Sequence, residues 1–451
     1  MIKNITVLIF VMAVIFLAGC VKQPDMIIDP EIGGQTTAGP KNDADPSKYD
    51  SFDNCDCRWN RSANDYSFVE TDNAYIGTAH FDCLLHYWDK QTGESGVLCG
   101  KPECDHTTAD CGGMIFTNNS SLTYYGGKLW WIGRNFDEEH PLPNDQKKRG
   151  LWRMDPDGTN REYLGRALSD FVYGDNYASV ISLHRGYVYL LTSRDVVTDG
   201  VPSVSYSVFR SALDDLESYE ALISFSCAEE GSVISSSLWC VEDSVIAYYR
   251  VMREEDGNNL YSGRIYVYDI PLGKTELVFD GEDPSFSFYN ASYYNGRYYF
   301  AGRKTETDAD GGTTGIGVVY RLEGGKLVEC FDFYDEDAVI GAKGGMGGYT
   351  SATISGGFAR AHYKFFDKDF EVWYKDLETG ETLYKGKWNL ENLPGYADGS
   401  LAEWQNIGGD GECIVTLICF SVEDGICYSF VKYSFGETGM TETVLFSGNT
   451  R

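Results

Sequence analysis

The chain has 451 residues and a formal net charge of −31, from 37 Lys and Arg against 68 Asp and Glu. A surface of that sign repels nucleic acid and anionic headgroups, so neither is an expected partner. With 14% aromatics, 32 Tyr and 50 Gly against 12 Pro, the composition excludes a wholly disordered chain and indicates β-structure with many turns.

At the start, Lys3 precedes an apolar run from Ile5 to Phe16 that ends in Leu17-Ala18-Gly19-Cys20. A basic start, an apolar centre and small residues before a cut are the physical needs of a secretory signal. The apolar span is short for a membrane crossing, which takes about 20 residues. Leu17 to Cys20 resembles the lipobox of bacterial lipoproteins. The resemblance implies a signal peptide over 1–19, a lipid on Cys20, and a mature chain tethered to the outer side of the cell membrane.

Residues 20–50 follow as a linker. Pro24, Pro30, Gly33, Gly34, Gly39, Pro40 and Pro46 punctuate a polar stretch that cannot bury a core, so a flexible stalk is expected there. The folded part is expected over 51–451.

From residue 65 onward one pattern returns. A turn leads into an apolar strand at Tyr75, Leu129, Tyr187, Val245, Tyr298, Phe358 and Cys413, at intervals of about 53–60 residues. Behind each marker comes a second strand, closed in four of the copies by an Asp- and Gly-containing turn and weaker at Val208–Arg210, Val318–Tyr320 and Phe430–Lys432. Examples are Tyr87-Trp88-Asp89 with Gly93, Ile265 to Asp269 with Gly273, and Val372 to Asp376 with Gly380. Even spacing of hairpins predicts an all-β, seven-bladed β-propeller, with six or eight blades as alternatives, and argues against two β-sandwiches. The marker and the hairpin supply the second, third and fourth strands of each blade.

Leu151-Trp152-Arg153-Met154-Asp155-Pro156-Asp157-Gly158-Thr159-Asn160 resembles the hairpin of TolB-type and YWTD-like β-propellers. The likeness covers 66–447 as a pattern and is close in this blade alone. Propellers of this kind bind proteins, peptides or glycans and some are enzymes, so fold alone does not give function.

Up-and-down strands put the second-to-third and the blade-to-blade connections at one end of a propeller. The long charged segments Asn135–Arg149, Arg194–Ser205, Arg250–Gly263 and Arg303–Gly317, with the runs 99–111 and 341–348, are therefore expected on one face. Tight turns such as Gly93 and Gly158 are expected on the other. Long loops on a rigid scaffold are where recognition resides.

Cys99-Gly-Lys-Pro-Glu-Cys104-Asp-His106-Thr-Thr-Ala-Asp-Cys111 is the one stretch with ligand chemistry. Three thiols and an imidazole match a structural Cys3His zinc site, although the spacing is not that of a common zinc knuckle. An extracytoplasmic location and twelve cysteines besides Cys20 equally permit disulfides, and the sequence leaves both open. Cys83 could replace any member of the set. The run also resembles an element of Gram-positive surface lipoproteins, which implies a setting where thiol–metal binding survives. Cys413 and Cys419 share a strand face, with Cys427 as a neighbour for one of them. Cys55 and Cys57 could fasten the N-terminal segment to the last blade.

Catalytic motifs are scarce. The six histidines include no His-Glu-x-x-His, and Gly-x-Ser-x-Gly, a phosphate-cradling loop and the sialidase Asp-box repeat are missing. Glu138-Glu139, Glu254-Glu255-Asp256 and Asp308-x-Asp310 offer carboxylates for glycoside chemistry, and the last pair also resembles the opening of a calcium loop. The favoured reading is a monomeric, lipid-anchored, extracytoplasmic propeller that binds a protein, peptide or glycan. The rival is an extracellular carbohydrate-active enzyme with acids at the channel mouth.

Overall fold

The computed structural model describes residues 58–59, 66–79, 83–107, 111–115, 122–134, 149–165, 177–198, 201–226, 232–255, 258–282, 290–307, 313–335, 352–363, 371–436 and 439–449. They form 28 strands in seven four-stranded antiparallel sheets. Blade 1 contains β1 (Tyr66–Glu70), β2 (Ala74–Ala79), β3 (His86–Asp89) and β4 (Ser95–Val97). Blade 2 contains β5 (Thr123–Tyr125), β6 (Lys128–Arg134), β7 (Arg149–Met154) and β8 (Glu162–Gly165). Blade 3 runs through β9 (Tyr177–His184), β10 (Tyr187–Thr198), β11 (Val201–Ala212) and β12 (Asp215–Ser226). Blade 4 runs through β13 (Ser232–Val241), β14 (Ser244–Glu255), β15 (Asn258–Asp269) and β16 (Lys274–Glu282). Blade 5 is β17 (Asn290–Tyr294), β18 (Arg297–Thr307), β19 (Thr313–Glu323) and β20 (Lys326–Asp332). Blade 6 is β21 (Thr353–Ser355), β22 (Phe358–Tyr363), β23 (Glu371–Asp376) and β24 (Thr382–Lys387). Blade 7 is β25 (Ser400–Gly409), β26 (Cys413–Val422), β27 (Gly425–Gly436) and β28 (Gly439–Asn449). All seven marker residues fall in second strands, so the sequence repeat and the blade coincide.

The recurring turn has a local cause. In blades 1 and 6 the Asp89 and Asp376 carboxylates each accept two backbone N–H groups and a Thr hydroxyl. The chain then reverses at Gly93 and Gly380, both at φ +73°. That left-handed backbone is open to glycine at no steric cost, which explains the fixed Asp-to-Gly spacing.

Each sheet packs between two others, so the inner strands are buried on both faces. In β26 seven consecutive residues, Ile414 to Phe420, are buried. Seven separate apolar clusters fill the gaps between blades 1/2, 2/3, 3/4, 4/5, 5/6, 6/7 and 7/1. An open arc of seven sheets would need only six, so the ring is closed. First strands of successive blades touch from β1 through β25, which places them at the hub. Fourth strands form the rim, where Lys and Glu on β20, for example, blunt the exposed edge.

Closure joins remote parts of the chain. Trp59 bridges to Gly408, and the Gly409 N–H donates to the Arg58 carbonyl at 2.8 Å. Arg58 pairs with Glu70 of blade 1 at 2.9 Å and with Asp410, in the β25–β26 turn of blade 7, at 3.5 Å. The N-terminal entry is thus fastened to the last blade by backbone and charge. Cys55 and Cys57 lie outside the described residues, as do Cys20, the signal segment and the stalk.

One buried group makes stability depend on pH. Burial, and then the positive charge of Arg360, hold the His362 imidazole down to about 3. Burial also lowers His184, despite its contact with the Glu242 carbonyl. The unfolded chain takes up these protons near pH 6.5 while the folded chain refuses them. Stability is therefore complete above pH 6.5 and falls as pH drops toward 3, with a slope approaching about 1.4 kcal/mol per pH unit for each proton. Urea midpoints measured between pH 7 and pH 4 are expected to fall less steeply for His362→Phe than for the parent chain.

Candidate functional site

The second-to-third connections differ from the expected loops. Three of the four long segments are paired β-ribbons. Residues 194–198 and 201–204 continue β10 and β11 beyond the register of β9 and β12, closing at Thr198↔Val201. Residues 253–255 and 258–261 do the same in blade 4, closing at Glu255↔Asn258, beyond the last pairs to β13 and β16. In blade 5 residues 303–307 pair with 313–317, closing at Thr307↔Thr313. The polar and β-branched residues of the blade 3 and blade 5 segments suit a strand as well as a charged loop, and hydrophobic pattern alone did not separate the two. Antiparallel topology puts all three ribbons at the same end of blades 3, 4 and 5. At the root of the blade 4 ribbon the Arg250 guanidinium lies 4.6 Å from the centre of the Tyr261 ring.

Of the carboxylates considered for catalysis, Glu254 and Glu255 have their backbone in the blade 4 ribbon. Glu138, Glu139, Asp256, Asp308 and Asp310 lie outside the described residues, and the side chains of Glu254 and Glu255 are likewise outside them. So does the run 341–348.

The cysteine run behaves differently. It leaves β4 and seats against the β7–β8 turn of blade 2, which belongs to the tight-turn end of that blade. The residues that follow the run also reach the β2–β3 connection of blade 1, at its long-loop end, so the segment touches both kinds of connection. Arg161 donates to the Cys111 carbonyl at 2.8 Å and to the Met114 carbonyl at 3.0 Å. Glycines make the fit. A Cβ on Gly112 would lie 2.6 Å from the Gly158 carbonyl oxygen, and one on Gly158 would lie 3.0 Å from Cys99 Cα. On the other side, Leu85 N–H donates to the Gly113 carbonyl and Ile115 N–H to the Cys83 carbonyl, both at the root of β3.

Within the run the ligand atoms of Cys99, Cys104, His106 and Cys111 all lie within 4.8 Å of one another. His106 Nδ1 is 3.3 Å from Cys111 Sγ. Cys83 is not part of the group. Two Cys-Gly-x turns aim N–H groups at sulfur, Lys101 and Gly112 at Cys99 and Gly113 at Cys111. Burial opposes a charge on Cys99, but these donors and the Cys111 and Cys104 thiols outweigh it and lower its pKa. Burial pushes Cys111 up to about 12. The Asp105 carboxylate accepts the Thr107 N–H at 3.1 Å and its hydroxyl at 2.7 Å, a turn that holds His106 at φ +59°.

No disulfide joins Cys99, Cys104 and Cys111, and Cys413, Cys419 and Cys427 are also unbridged. Cys419 is a core residue between blades 7 and 1. The sequence pointed to the four ligands but not to Arg161, Gly158 or the Asp105 turn. The signal available for these was the close family-like hairpin Leu151 to Asn160, whose following residue is Arg161.

No protein-family model matches the chain, and no curated protein matches it. Among solved structures, the β-propeller domain of the Trilobed protease from Pyrococcus furiosus is 13% identical, covers 86% of this chain and 96% of its own, and has a TM-score of 0.41. Acylaminoacyl peptidase from Pyrococcus horikoshii is 12% identical over 86% of this chain and 54% of its own, with a TM-score of 0.43. An α-L-arabinofuranosidase from Fusarium graminearum is 12% identical over 67% of this chain and 86% of its own, with a TM-score of 0.34. The likeness is one of fold.

Proposed function

We propose that this chain is a lipid-anchored, extracytoplasmic binding protein that captures a protein, peptide or glycan at the ribbon-bearing end of its propeller. The observation that carries the reading is the trio of ribbons on consecutive blades 3, 4 and 5. A closed ring supplies a rigid base, and three ribbons at one end of it offer a multi-point surface. Extended ribbon strands suit recognition of an extended partner. The Leu17-Ala18-Gly19-Cys20 segment supports attachment to the membrane through lipid.

The test uses glycan and peptide arrays probed with the full chain and with a variant whose three ribbons are cut back to the blade registers. Saturable binding that drops at least tenfold on trimming is the expected result. Equal binding by the trimmed chain, or release of hydrolysis products from array glycans, would overturn the reading. In the same experiment Cys20→Ser is expected to move the protein from the membrane fraction to the soluble one.

A further inference from the structure

We propose that Cys99, Cys104, His106 and Cys111 form a closed, structural zinc site that fastens blade 1 to blade 2. The inference is independent of what the ribbon end binds. A tetrahedral zinc with Zn–S near 2.3 Å and Zn–N near 2.0–2.1 Å sets its ligand atoms about 3.6–3.8 Å apart. The four atoms here already lie within 4.8 Å of one another, so an inward movement of about 1 Å closes the shell. Four protein ligands leave no open position for a substrate, which is the mark of a structural rather than a catalytic site.

The surroundings are those of a metal-bound thiolate cluster. Three sulfurs in mutual contact without a disulfide would repel one another once ionised, and a divalent cation between them removes that penalty. Backbone N–H groups already point at Cys99 and Cys111, the outer-shell bonds that orient sulfur ligands. His106 faces the sulfurs through Nδ1, and the Asp105–Thr107 turn fixes the backbone that presents it. The left-handed conformation of His106 is costly for a residue with a Cβ, and ligation is a return for that cost. Binding is balanced as three thiols and a neutral imidazole taking up one zinc ion and releasing three protons, which leaves a complex of charge −1. The Arg161 guanidinium, bonded to the carbonyl of the Cys111 ligand, is the nearby countercharge.

The site lies in the segment that links the two blades. Its ligands come from the segment after β4, and that segment lies on the Asp155–Arg161 turn of blade 2. Metal would hold the 99–111 run in the shape that fits this turn.

Elemental analysis of the full chain, purified under anaerobic and reducing conditions, is expected to find about one zinc per chain. Cys330→Ser, at an exposed cysteine on the rim, should retain it. Cys104→Ser and His106→Ala should each lower occupancy at least tenfold under chelator competition. Should a variant fail to fold, the metal-free parent chain still decides: cobalt added to it should give the strong ligand-field bands of a tetrahedral thiolate site, saturating at one equivalent. A parent chain without metal and without those bands would overturn the proposal. So would a disulfide between any two of the three cysteines in the anaerobic sample, or zinc retained equally in both ligand variants.

Discussion

Phe430→Ala is expected to lower stability by about 3–5 kcal/mol, the usual cost of removing a fully buried aromatic ring from a core. Phe430 has no solvent exposure and stacks between Phe446 at 4.6 Å and Phe68 at 6.1 Å. What distinguishes it is location. Six of the seven interfaces join blades that follow one another in the chain, whereas the 7/1 interface joins the two ends. His86 and Tyr428, which share a hydrogen bond across it, are 342 positions apart. Closing so long a loop carries an entropic cost that the 7/1 contacts alone must offset. Phe300→Ala supplies the control, since Phe300 is equally buried and packs on Phe279 at 5.1 Å and Tyr248 at 5.9 Å between blades 4 and 5. Both variants should lose similar stability in urea. Only Phe430→Ala should open residues 58–70 to protease below the global transition. Equal protection of that segment in the two variants would show that the ring closes by other means.

The propeller was legible because its cause is local and repeated. Tyr75, Val245 and Phe358 all stand at the start of second strands, and Asp89-to-Gly93 and Asp376-to-Gly380 close equivalent turns. Seven repetitions of a short-range signal survive the noise that obscures any single strand. The four metal-type ligands were legible for the same reason, being near neighbours in sequence. What could not be read was contact between segments of different blades. Nothing in Cys99 to Cys111 announces that Arg161, some fifty positions later, will bond its carbonyls. The ribbons were missed for a different reason. Residues 194–205 have polar and β-branched character, and whether such a stretch pairs with itself or loops depends on register carried over from the blade beneath it.

Gly158→Ala is expected to be the most damaging small change in the candidate metal region. At φ +81° any Cβ is strained by about 1–2 kcal/mol. Here the Cβ would also sit 2.9 Å from the carbonyl carbon and oxygen of Leu98 and 3.0 Å from Cys99 Cα. All three are backbone atoms at the root of the cysteine run, so no side chain can rotate away, and the run or the turn must shift. Gly296→Ala separates the two contributions. Gly296 has φ +74° and nothing within 4 Å of an added Cβ, so it reports conformational strain alone. The expected costs in urea unfolding are about 1–2 kcal/mol for Gly296→Ala and about 3–4 kcal/mol for Gly158→Ala, the extra being the displaced backbone contact. Thiol-labelling rates give a second readout. Cys104 should react faster in Gly158→Ala and unchanged in Gly296→Ala, because only the former unseats the run. Equal costs and equal labelling would mean that the β7–β8 turn does not support the cysteine cluster.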